Sequence, residues 1–228
     1  EMCIRDRFEL AGIQMVSNVE LHEKMKLRCL NGTHSALAYL GYLAGFNTIA
    51  ECISDDSLLN YIQYLWEKEI IPTLKTPEGE NLNDYSSKLL ERYQNPAIEH
   101  RTWQIAMDGS QKLPQRILET VSDLLKHQKN FQGLALAIAA WIKYVTGRDL
   151  NGEVIDVRDP LAKDLAIIAK KSKTSEHYVN SILDLNKVFP ANLRNSSVFR
   201  EEIQKSYKIL EQYGSLVSIK KLMSAVEK

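Results

Sequence analysis

The chain has 228 residues, 44% of them hydrophobic, and its 29 basic side chains balance 29 acidic ones, so it can bury a sizeable core in one large or two small domains. No basic run is interleaved with aromatics, which is the footprint a nucleic-acid binder would carry, so no nucleic acid is expected as a partner. The longest apolar stretch, residues 133–142, has about half the length a bilayer crossing needs and no signal-like segment precedes it; no membrane is expected, and a cytoplasmic location is the default.

Residues 1–7 show no pattern, and residues 8–19 carry β-branched side chains without helical periodicity, which predicts a short strand or extended segment. From Glu20 onward apolar residues recur at three- and four-residue spacing, and the expected class is mainly α. The spacing predicts a helix over 19–46 in one or two stacked pieces, a short helical turn over 48–54, and a helix over 56–74 that Pro72 ends or kinks. A loop on Pro77-Glu78-Gly79 follows.

Helices are predicted over 83–93, 98–107 and 114–128, the last two separated by the turn-forming Asp108-Gly109-Ser110. Residues 131–145 are apolar on nearly every side and predict a central buried helix ending at Gly147. Beyond a polar connection at Asn151-Gly152, Asp159-Pro160 reads as an N-cap with proline at the first helical position. Helices over 160–171, 175–188, 197–212 and 215–226 complete the chain. The expected organisation is a remnant or artefactual start over 1–19, then one helical domain over 20–228.

Cys3, Cys29 and Cys52 are odd in number and form no close pair, so buried or idle thiols are expected rather than a disulfide or zinc site. His22, His100, His127 and His177 are dispersed without ligand spacing, so no metal is expected. Trp66, Trp103, Trp141, Tyr39, Tyr42, Tyr61 and Tyr64 sit at helical spacing and read as core. A strand followed by Gly-x-Gly-x-x-Gly, a Gly-Lys phosphate loop, a His-Glu-x-x-His helix and a Gly-x-Ser-x-Gly elbow are all absent from the sequence.

Chemistry therefore has to come from polar groups scattered on helices, and one stretch concentrates them. Lys26, Asn31 and His34 are separated by five and three residues. On an α-helix these lie within an arc of roughly 140° and span about 12 Å, close enough to converge on one small molecule. A desolvated lysine can take a proton from an alcohol, while an amide and an imidazole hold the oxygen. The same residues also read as a solvated lysine, a turn-forming Asn-Gly pair and a satisfied core histidine.

Lys-x-x-x-x-Asn-x-x-His followed by Ser-Ala-Leu-Ala-Tyr-Leu-Gly resembles the signature of the long-chain mannitol dehydrogenase family. The resemblance covers residues 8–228 and implies the multi-helical C-terminal substrate domain of the 6-phosphogluconate-dehydrogenase-like type. It places a general base on Lys26, an oxygen-polarising amide on Asn31, a substrate-binding imidazole on His34 and, more weakly, a proton-relay carboxylate on Glu23. A second stretch, running from His100-Arg-Thr-Trp-Gln to Lys112-Leu-Pro-Gln-Arg116, resembles the family's other substrate contacts and places a substrate-binding lysine on Lys112. The family's arginine before the Asp-Gly turn falls on Gln104, with Arg101 one helical turn earlier, so this chain departs from the pattern there.

Lys112 and Arg116, four apart at a helix start, suit an anion. With Arg101 or Arg116 beside Lys112, they favour a sugar acid, as in the branch of the family that interconverts D-fructuronate and D-mannonate; an uncharged polyol such as mannitol is the alternative. The resemblance implies NAD as cofactor, bound mainly by an N-terminal Rossmann domain that is missing here and would be this domain's partner. A non-catalytic helical interaction module is the reading from another class. For catalysis, Lys26, Asn31, His34 and Lys112 should open onto one concave surface.

Overall fold

A computed structural model of the chain describes residues 10, 15, 16 and 18–226, so most of the extended segment expected over 8–19, and Cys3, lie outside the described residues. Among the described residues no strand forms; there are only two isolated bridges, Thr48 with Arg101 and Arg148 with Val154. No helix there is long and apolar enough to cross a membrane.

The chain first builds one continuous rod. The Asn18 side chain accepts the Leu21 N–H at 3.4 Å and starts α1, Val19–Met25. The rod widens into a π-turn, Lys26–Gly32, and continues as α2, Thr33–Leu43. α3, Ile49–Ser54, opens with a capping box between Thr48 and Glu51. α4, Asp56–Tyr64, runs into a second π-turn, Leu65–Ile70, and Pro72 sits in the 3₁₀ turn that ends it. α5 covers Leu82–Gln94 and α6 Thr102–Ala106. α7, Gly109–Leu113, a third π-turn, Pro114–Leu118, and α8, Glu119–Lys126, form a second rod.

The core is organised on α9, Gln132–Tyr144, whose residues 133–142 are all buried. It lies between α2 and α13, Ser197–Tyr213. α10, Ala162–Lys171, α11, Ser175–Leu183, α12, Ala191–Arg194, and α14, Ser215–Val226, close the remaining sides. Gly147 (φ +77°) terminates the α9 segment. Phe131, at the N-cap of α9, brings no side-chain cap, and a fully buried carboxylate does that work from outside. The N–H groups of Gly133 and Leu134 donate to Glu69 Oε1 at 2.7 Å and Oε2 at 2.8 Å, and the Tyr61 hydroxyl donates to Gly133 O at 2.8 Å. Burial outweighs these bonds and pushes the Glu69 carboxyl up to about 7.

Four boundaries differ from those expected. The helix expected over 98–107 begins only at Thr102, because His100 O accepts from Ile49 N–H and Asn47 O from Thr102 N–H, each at 2.9 Å; that pairing holds residues 100–101 extended. The helix expected from Pro114 begins five residues earlier, at Gly109, and Pro114 lies inside it. With no N–H to give, Pro114 opens the ladder, and the next bond runs from Glu119 N–H to Pro114 O, five residues back. Asp159 does not cap a helix directly: its carboxylate accepts from Ser110 N–H and Oγ as well as Leu161 N–H, and α10 starts at Ala162. The helix expected over 175–188 stops at Leu183, where Arg200 donates to Asn180 Oδ1 at 3.0 Å and Asp184 Oδ1 at 2.9 Å.

Of the aromatics read as core, Trp66, Trp141, Tyr39 and Tyr61 are buried; Trp103, Tyr42 and Tyr64 are half-buried. Cys29 and Cys52 are free and buried, and burial pushes both thiols up to about 12. Thiolate is the reactive form. A Cys3→Ser chain should therefore show no thiol reaction with a disulfide-exchange reagent at pH 8 until denatured, when two thiols appear; reaction of the folded chain would contradict this packing.

Candidate active site

The site is built on the π-turn Lys26–Gly32, and side chains from other elements explain why the helix widens there. Cys29 O accepts from Trp66 Nε1 at 2.9 Å and from Thr33 Oγ1 at 2.6 Å, and Leu30 O accepts from the Tyr93 hydroxyl at 2.9 Å. Carbonyls drawn off in this way are free to leave the α ladder. On the same turn Arg28 is fully buried: it donates to Thr73 Oγ1 at 2.8 Å and pairs with Asp123 at 2.7 Å. It ties the turn to α8.

Widening changes which side chains share a face. An α-helix places positions five apart at roughly 140°, but a backbone bonded from i to i+5 has more residues per turn and brings them closer to one face. Lys26 and Asn31 are five apart inside this turn, so they align more closely than the α-helical reading expects. The Asn-Gly pair is not a chain turn: Gly32 has helical φ −64°. Its role is proximity, since a Cβ there would meet Arg116 O at 2.7 Å. The first and third π-turns pack against each other at this point.

Lys26 is exposed and Asn31 half-buried, and neither side chain has a hydrogen-bond or ion-pair partner among the described residues. His34 Nε2 is buried and likewise without a partner. Its ring lies 4.5 Å from that of Tyr93 and 5.2 Å, edge-on, from that of His100. Burial, then the charges of His100, Arg92 and Arg116, pull the His34 imidazole down to about 3. It is therefore uncharged at neutral pH, with one ring nitrogen able to donate and the other to accept.

The second rod delivers the cations. Asp108 adopts the left-handed conformation (φ 55°), its N–H donates to Arg158 O at 2.9 Å, and the Ser110–Asp159 bonds hold the following turn. Lys112 is half-buried and pairs with Asp108 at 3.8 Å; burial, then the charge of Arg116, pushes its ammonium down. Arg116 Nη1 donates to Ser35 Oγ at 3.1 Å, and its buried Nε has no partner. His34, Arg116 and Lys112 thus form one neighbourhood. Arg101 is not brought into it: it is exposed, pairs with Glu99 at 3.4 Å, and lines a separate cavity with Thr48, Glu51 and Trp103. Glu23 is exposed on α1, one turn before Lys26. Arg92, Tyr93 and His100 escaped the sequence reading of the site, although His100 opens the second motif. No group of three potential metal ligands occurs among the described residues.

Two separate polar stretches thus meet across Gly32, and comparison with known proteins gives this arrangement a family. The family model for the mannitol dehydrogenase C-terminal domain matches residues 18–211. The chain belongs to the mannitol dehydrogenase family. It is 43% identical to the uncharacterized oxidoreductase YdfI of Escherichia coli over 95% of this chain and 44% of that protein. To the D-mannonate oxidoreductase of the same organism it is 41% identical over 92% of this chain and 43% of that protein. Among solved structures it matches Pseudomonas fluorescens mannitol 2-dehydrogenase in ternary complex with NAD and D-mannitol, with a TM-score of 0.90 and 28% identity over 95% of this chain and 44% of that one. This mannitol dehydrogenase domain therefore spans less than half the length of the relatives it matches.

Proposed function

We propose that this chain is the substrate-binding, acid/base part of an NAD-dependent oxidoreductase that interconverts D-fructuronate and D-mannonate, with residues 20–228 as one helical domain. The observation that carries the reading is the polar face of Lys26, Asn31 and His34, each without a partner, with His34 Nε2 buried at its inner end. A buried polar atom left unsatisfied is costly, and a substrate hydroxyl would satisfy it.

The residues present fit a dinucleotide only as a neighbour. Gly45, Gly79, Gly147, Gly152 and Gly214, the glycines with positive φ among the described residues, stand singly at turns and helix ends, and none of these forms a phosphate cradle; a Rossmann domain from outside these 228 residues would hold NAD. That cofactor supplies or accepts the hydride. In oxidation, neutral Lys26 takes the substrate hydroxyl proton on Nζ, and in reduction it returns it. Asn31 donates its amide N–H to the reacting oxygen as charge develops, and uncharged His34 positions the same or a neighbouring hydroxyl. Glu23 is the relay to solvent, and Lys112 and Arg116 bind the rest of the substrate. Lys26 is exposed in this chain alone; a second domain laid over it would exclude water from the reacting atoms.

A polyol substrate is the second reading, favoured by the 0.90 TM-score to a mannitol 2-dehydrogenase and by the acid beside Lys112. The test joins this domain to the N-terminal half of the Escherichia coli D-mannonate oxidoreductase and measures NADH-dependent reduction of D-fructuronate and D-fructose. Fructuronate turnover that falls about 10²–10⁴-fold in Lys26→Ala supports the reading. Preference for fructose moves it to a polyol, and an unchanged rate in Lys26→Ala overturns the role of Lys26.

A further inference from the structure

The charges around His34 are one-sided. Arg116 is half-buried, its Nη1 reaches only a serine hydroxyl, and its Nε is buried with no acceptor. Arg92, exposed in the last turn of α5 and next in sequence to the Tyr93 whose ring lies 4.5 Å from that of His34, has no ion pair among the described residues. His100 sets its ring edge-on to His34 at 5.2 Å. The groups that act electrostatically on His34 are His100, Arg92 and Arg116, and no acid is among them. Burial, then the charge of Arg92, pulls the His100 imidazole down. Lys112 differs: Asp108 lies 3.8 Å away, and Asp159 adds to it.

Resting on the proposed reaction, we infer that Arg92 and His100, with Arg116, form the wall that receives the carboxylate of a sugar acid, and so select it over a neutral polyol. The half-buried Arg116 guanidinium, with its buried Nε lacking an acceptor, is unfavourable without a counter-charge, and together with the exposed Arg92 at the rim it sets out donors for a planar anion. The ligand class follows: one carboxylate on a polyhydroxylated chain, whose hydroxyls reach His34. Lys112, already balanced by Asp108, is left to a hydroxyl. Arg101, exposed, paired with Glu99 and itself bridged to Thr48, takes no part. A site that expects an anion rejects the uncharged analogue because its own cations are then left bare.

The test follows the imidazole resonances of His34 and His100 by NMR in the 228-residue chain during titration with D-mannonate, D-mannitol and acetate. D-mannonate is expected to shift both rings saturably and to raise the midpoint of His100 titration, since a bound carboxylate favours the imidazolium. Arg92→Gln, at an exposed position where folding is not at risk, should weaken D-mannonate at least tenfold and leave D-mannitol unchanged; Arg101→Gln should change neither. Equal D-mannonate affinity in wild type and Arg92→Gln, binding of acetate as tight as that of D-mannonate, or no saturable response to D-mannonate overturns the inference. Its failure is separable from that of the reaction: D-mannitol binding insensitive to Arg92, with Lys26-dependent turnover in the fused enzyme, removes the carboxylate wall and keeps the oxidoreductase. Arg92-dependent D-mannonate binding without turnover does the reverse.

Discussion

Replacing Glu69 with alanine is expected to lower folding stability by about 3–5 kcal/mol, because it leaves the Gly133 and Leu134 N–H groups buried without an acceptor and opens a cavity beneath α9. In a domain of this size that is a fall of roughly 10 °C in midpoint temperature. The wild-type residue also carries a pH signature. Its folded value of about 7 lies above the ordinary 4.5, so folding favours the protonated carboxyl. The contribution is fully present below about pH 4.5 and is lost as pH rises through 7. Denaturant titrations between pH 4.5 and 8 should show this loss in wild type and a flatter profile in Glu69→Gln. An alanine variant as stable as wild type would remove Glu69 from its role as the cap of the central helix.

The second large effect is expected at Gly32. An alanine methyl there would stand 2.7 Å from Arg116 O, a backbone atom in the middle of a rod and not a side chain that can swing aside. The two π-turns must then separate by several tenths of an ångström. Overpacking of this kind costs about 1–3 kcal/mol, but the larger consequence is for the site, since Lys26, Asn31 and His34 lie on one side of that contact and Lys112 and Arg116 on the other. A misplacement near 1 Å costs on the order of 10²-fold in rate. The fused enzyme carrying Gly32→Ala should stay folded by circular dichroism while kcat/KM for its substrate falls by about that factor. Unchanged kinetics would mean the two rods do not act on one molecule.

Local patterns were readable where one short stretch determined the outcome. Asn18, Thr48 and Gly147 marked helix ends through side chains or backbone within three residues, and the apolar run over 133–142 announced its burial. Lys26, Asn31 and His34 were open to two readings by spacing and stood out only through the resemblance of their stretch to the family signature. What the pattern could not carry depended on residues distant in the chain. Asp159 looks like a helix cap until Ser110 claims its carboxylate. Glu69 reads as an exposed position in a helical pattern until the bare end of α9 arrives beside it. His100 looks dispersed, because only the packing of the segment bridged at Thr48–Arg101 brings its ring to His34. The widening at 26–32 was invisible because its causes, Trp66 and Tyr93, come from other helices.

That widening also sets how the domain can change in length. A π-turn holds roughly one residue more than an α-turn over the same rise. Deleting one residue from 27–32 would let the rod close to α geometry with Lys26 still on the face of His34, whereas straightening it with every residue kept would swing Lys26, with all of α1, by about 100° away from His34. The loop around Pro77-Glu78-Gly79 has no such lever, because nothing downstream is in helical register with it. In this domain the extra residue between Lys26 and His34 works as a gear tooth: the rod has to hold it in a wide turn for the two halves of the site to mesh.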